Sequence, residues 1–76
     1  MYIIIHKTQK DSKIIEEYHY IFKSKKIAVQ NLRCNYNYIM QYKDIKKYSD
    51  IKYDNNTIEY TEGELKNIIY IKKMEV

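Results

Sequence analysis

The chain has no proline and no tryptophan, and only one glycine, one cysteine and one arginine. Each scarcity removes a class of explanation. Cys34 cannot close an internal disulfide, and with His6 and His19 as the only other soft ligands there is no cluster of zinc spacing. Arg33 stands alone among 14 basic residues. That argues against base readout in a duplex, because bidentate contacts to guanine are most often made by arginine. No linker, repeat or low-complexity segment is visible, so residues 1–76 read as one domain. No apolar run approaches the roughly 18 residues that span a bilayer. The run Tyr2-Ile3-Ile4-Ile5 is too short for the apolar segment of a signal peptide and stops at His6-Lys7. The free thiol fits a reducing compartment, which makes a cytoplasmic location the expectation.

What the chain does have is tyrosine, ten in 76 residues. A tyrosine offers a rigid apolar ring and a polar hydroxyl, so it serves in a half-buried sheet and at a protein interface alike. The chain is 45% hydrophobic and 32% charged, with a net charge of +4, which is not the composition of a disordered tail. A chain of this size buries only about 60% of the surface that its unfolded form exposes. Without a disulfide or a metal, oligomerisation or docking on a larger partner is the remaining support. The expectation is a homodimer, or a monomer with one large contact face.

Residue patterning predicts an α+β fold. Tyr2 to Lys7 is a dense β-branched run, the pattern of a strand covered on both sides or lying centrally. Polar residues Thr8 to Ser12 read as a hairpin loop. From Ile14 to Phe22 the chain alternates. Ile14, Glu16, Tyr18, Tyr20 and Phe22 share one face, the better candidate for the core side, and Ile15, Glu17, His19 and Ile21 share the other. Ser24 reads as a helix N-cap. Along Lys25 to Lys43, an apolar stripe of Ala28, Val29, Leu32, Tyr36, Ile39 and Met40 recurs at helical spacing, and Lys43, Lys46 and Lys47 suit the negative end of the helix dipole. Tyr48 to Tyr53 is a weak strand, Asp54-Asn55-Asn56 a turn, and Thr57 to Thr61 a strand. Glu62-Gly63-Glu64 is a second turn with glycine at positive φ, and Leu65 to Lys73 is a long strand. A sheet of four or five strands in the order 2-1-5-4-3, all antiparallel, follows if the helix crosses one face. The other face then carries residues such as Ile15, Ile21 and part of the last strand, and it is the expected contact surface.

The chemistry-bearing residues do not gather into a catalytic set. His19 is expected to face the start of the first strand and not His6, so the two histidines do not form a joint site. Cys34 lies off the apolar stripe without a base beside it. Glu16 and Glu17 point to opposite faces, and Glu62 and Glu64 flank a turn, so no pair of acids converges as a hydrolase requires. The expectation is a protein that is not an enzyme and holds no cofactor or metal.

Charge is polarised. Residues 23–47 hold seven basic residues and one acid, while the rest of the chain holds seven basic residues and nine acids. Lys25, Lys26, Arg33, Lys43, Lys46 and Lys47, with Tyr36, Tyr38 and Tyr42 among them, form the candidate partner-binding set. One reading makes them a nucleic-acid footprint with stacking tyrosines. The other makes the tyrosines anchors for a protein partner, since aromatic residues are enriched among interface hot spots. A third reading, self-assembly through exposed sheet edges, follows from the size of the fold.

Ile, Lys, Asn, Tyr and Phe fill more than half of the chain, and 13 of the 14 basic residues are lysine. These are residues of AT-rich codons. Together with Ser24 opening the helix and a closing hairpin that pairs Ile58 and Tyr60 with Ile68 to Ile71, this composition resembles the small accessory proteins of phages of low-GC bacteria. Many of those block host defence, as anti-CRISPR proteins do. The resemblance implies stoichiometric action in the host cytoplasm, by occupying a surface on a host protein or nucleoprotein complex.

Overall fold

The computed structural model describes residues 1–42 and 48–75. Five strands and one helix follow in the order β1 (Tyr2–Lys10), β2 (Lys13–Phe22), α1 (Lys25–Tyr42), β3 (Tyr48–Tyr53), β4 (Thr57–Glu62) and β5 (Leu65–Lys73). They form one sheet in the order β2-β1-β5-β4-β3, with every pairing antiparallel. The expected class, order and pairing are therefore present. The densest strands, β1 and β5, pair in the middle, where each is flanked on both edges.

The helix starts where the sequence places it. Ser24 Oγ accepts a hydrogen bond from the Ile27 amide at 3.3 Å, and the Ser24 carbonyl accepts the first helical bond from Ala28. Ala28, Leu32 and Ile39 are buried from α1 and meet Ile4, Ile58, Tyr60 and Ile69 of the sheet. Tyr36 packs against this cluster, and Val29 and Met40 of the expected stripe are half-buried. The expected helix end at Lys43, and its dipole partners Lys46 and Lys47, lie outside the described residues.

The β1–β2 and β4–β5 hairpins are tighter than the polarity of their sequences indicates. β1 runs through Thr8, Gln9 and Lys10, and the turn is only Asp11-Ser12, with φ of 53° and 66°. Two consecutive positive φ values define a type I′ turn, which matches the right-handed strand twist. Thr8 is polar but buried at the centre of the sheet, so the loop expected over Thr8–Ser12 is corrected to two residues. At the second hairpin Glu62 pairs with Leu65 and stays in β4. The turn is Gly63-Glu64, with φ of 59° at Gly63 as expected.

The shorter first hairpin also moves the register. His19 stands opposite Ile5, not at the start of β1, and Tyr18 stands opposite His6. Opposed residues share a face, so the two histidines still point to opposite sides of the sheet. The register shifts between Thr8 and Gln9, where β2 spends one extra residue, Ile15. Ile14 consequently opposes Gln9 and leaves the phase of Glu16, Tyr18, Tyr20 and Phe22. That tyrosine-bearing face does look toward the helix, as expected. Yet of these only Phe22 packs on the core; Tyr18 and Tyr20 remain about half exposed.

The turns give a direct test. Ser12→Gly supplies glycine where the type I′ turn holds serine in the left-handed region, and it is expected to raise stability by about 0.5–1 kcal/mol. Gly63→Ala meets no atom within 4 Å, so its cost is backbone strain alone, about 1 kcal/mol. Urea midpoints at unchanged m-value measure both; a stabilising Gly63→Ala would overturn the turn assignment.

Candidate functional site

Alternation along each strand divides the side chains between a helix-covered face and an uncovered one. Ile3, Ile5 and Lys7 of β1, His19 and Ile21 of β2, and Ile68, Tyr70 and Lys72 of β5 share the uncovered face by register. Ile5 is only 8% exposed although no helix among the described residues lies over it. Its cross-strand neighbours His19 and Tyr70 flank it. A trough of about 590 Å³ opens here, with Ile3 and Ile5 on its floor and His19, Lys72, Met74 and Glu75 at its sides. Charged groups rim the apolar strip. Lys7 Nζ lies 5.6 Å from the centre of the Tyr70 ring and 3.9 Å from Glu17, which also accepts a hydrogen bond from His19 Nε2 at 2.7 Å. An apolar centre with a polar rim is the anatomy of a protein interface.

A second concavity of about 430 Å³ lies on the covered side, between the flank of α1 and the β1–β2 hairpin. Asn31, Asn35, Tyr38 and Ile39 face His6, Tyr20 and Phe22 across it. His6 in its wall is held by hydrogen bonding to Asn67. Asn67 Oδ1 accepts from Thr8 Oγ1 at 2.9 Å and from His6 Nε2 at 3.0 Å. Among the described residues no buried side-chain polar atom lacks a partner, and no three His, Cys, Asp or Glu groups gather as a metal site.

The helix tyrosines separate. Tyr36 stacks on Tyr53 with centroids 4.1 Å apart and planes 11° from parallel, so it closes the core's edge. Tyr38 is exposed and leans on Tyr42 at 4.8 Å. Lys25, Lys26 and Arg33 are exposed. Tyr38 follows Arg33 by five positions, an offset of about 140° around the axis. Arg33 and Lys26 thus lie on the Tyr36 flank and Tyr38 and Tyr42 on the opposite one, so the expected basic and stacking groups do not share one surface. Lys43, Lys46 and Lys47 of the candidate set fall outside the described residues. Sequence reasoning gave the uncovered face only through Ile15, Ile21 and the last strand. Ile3, Ile5 and Lys7 were hidden in a run that reads as buried on both sides.

No known protein family, curated protein or solved structure matches the chain. No helix among the described residues is long and apolar enough to cross a membrane.

Tyr60 sits in the wall of the covered cleft, where burial, helped by Tyr48 and Glu62 beside it, pushes its hydroxyl pKa up to about 12 from 10. The folded chain therefore keeps this proton when the unfolded chain has lost it. The associated stability is fully present below pH 10 and is lost as pH rises through 12. Urea unfolding across that window is expected to show a decline that is shallower in Tyr60→Phe; identical slopes would mean that Tyr60 titrates normally.

Proposed function

We propose that this protein is a non-enzymatic binding protein that inhibits or modulates a larger host protein by lying over part of its surface, in the manner of small phage-encoded anti-defence proteins. The reading rests on the uncovered sheet face. A sheet this small exposes to water a strip of Ile3, Ile21, Ile68 and Tyr70 around the buried Ile5, rimmed by Lys7, Lys66, Lys72 and Glu17. The arrangement offers apolar area for affinity and charge for orientation, and it brings no set of acid, base and nucleophile to one point.

Nucleic-acid binding through the basic helix is the alternative. The described geometry favours it less, because Arg33 and Lys26 lie on one flank of α1 and the exposed Tyr38 on the other. On the uncovered face Tyr70 is the one tyrosine among the described residues, with Lys7 over its ring, which is a poor stacking platform for successive bases.

Tagged protein drawn through lysate of a low-GC bacterium, with and without nuclease, tests both readings. Capture of a discrete protein that survives nuclease, depends weakly on salt, and drops at least tenfold with Ile3→Glu or Tyr70→Ala but not with Tyr38→Ala is the expected result. Folding of each variant is checked by circular dichroism. Recovery that vanishes with nuclease and falls steeply with salt would transfer the function to the helix.

A further inference from the structure

We propose that β2 pairs edge to edge with β2 of a second copy of this chain, antiparallel about a two-fold axis through Tyr18, to form one continuous ten-stranded sheet. This rests on the free edge and not on the uncovered face.

The two edges of the sheet are built differently. β3 is six residues long and is broken by a register shift at Asp50, whose φ is 53°. Short length, a bulge and charge are the usual means of blunting an edge. β2 is ten residues long, and every residue from Lys13 to Ile21 is exposed. Of the eight large hydrophobic residues exposed among those described, five lie on this one strand: Ile14, Ile15, Tyr18, Tyr20 and Ile21. A long apolar edge of this kind presents unpaired N–H and C=O groups and apolar side chains together, which is a template for another strand. The surface area agrees. The chain exposes 5626 Å², against about 5,000 Å² for a compact monomer of its mass, and its thinnest dimension is 15 Å.

The sequence of β2 selects the partner and the register. A two-fold antiparallel pairing keeps opposed residues on the same face, so its axis must pass through a single residue. An axis at Glu17 sets two glutamates against each other. One at His19 sets Glu16 against Phe22 and Glu17 against Ile21. An axis at Tyr18 sets Glu17 against His19 and Glu16 against Tyr20, so each carboxylate meets a hydrogen-bond donor. Glu17 and His19 are already bonded at 2.7 Å within one chain, and the axis brings two such pairs together. The bulge at Ile15 ends the regular ladder there, leaving Glu16 to Tyr20 of each copy as its centre. Because the axis stands perpendicular to the sheet, both helices lie on one side and both uncovered faces on the other.

Light scattering on a sizing column at micromolar concentration is expected to give twice the 9.4 kDa chain mass. Register is read by oxidation in a Cys34→Ala background. Tyr18→Cys places two thiols across the axis, with Cα atoms about 5 Å apart, inside the range a disulfide spans. Tyr20→Cys leaves its two copies four residues apart along the strands, about 13 Å, and is expected not to cross-link. Glu17→Lys is expected to dissociate the dimer by at least tenfold, and adding His19→Glu to restore it. A monomer at every concentration overturns the proposal. So does a dimer that cross-links through Tyr20 as readily as through Tyr18, or one that ignores Glu17→Lys.

Discussion

A single helix covers only one face of a sheet, and every other feature of this chain follows from that limit. α1, at 18 residues, is about 27 Å long, enough to cross five strands spaced about 4.8 Å apart, and among the described residues no helix lies over the opposite side. The core is correspondingly thin. Ile4, Leu32 and Ile58 are the largest side chains fully removed from water. Tyrosine extends this core outward. The Tyr36–Tyr53 stack and the Tyr48–Tyr60 edge contact close the β3–β4 side of the core. Part of the tyrosine excess is therefore structural, whatever codon supply contributed to it.

Tyr18, Tyr20 and Tyr38 stand outside that closed core. Tyr18 and Tyr20 are on the face that looks toward the flank of α1, yet both stay about half exposed. Tyr38 stands on that flank, across the cleft from Tyr20. The molecule consequently has two kinds of unfinished surface. One is a face with an apolar floor and a charged rim. The other is an edge whose hydrogen bonds end in solvent. Both are costly in a small monomer, and both lose that cost when another polypeptide covers them.

Much of the architecture was legible in the chain because local rules and global packing agree in it. The β-branched runs of β1 and β5, the helical stripe of Ala28, Leu32 and Ile39, Ser24 at the cap and Gly63 at its turn all state one fold at several levels. The turn at Asp11-Ser12 was not legible, because serine rarely takes positive φ and Thr8 looks like loop. Its burial is decided by Asn67, 59 residues away, which accepts its hydroxyl hydrogen bond. The bulge at Ile15, which puts Ile14 out of phase, leaves no mark in the residue pattern either.

The sequence by itself determined the class, the strand order and the existence of one helix on one sheet, since periodicity and capping are local and the fold has few ways to satisfy them. It also determined that this chain would carry exposed aromatic and apolar surface. Only the tertiary structure decided which surface that is. Which side of a strand is covered depends on where a helix lies across it. Whether lysine and tyrosine on one helix form a common patch depends on angle around its axis. Whether an edge is blunted or open depends on bulges that pairing creates. These are relations between distant segments, and no window along the chain contains them.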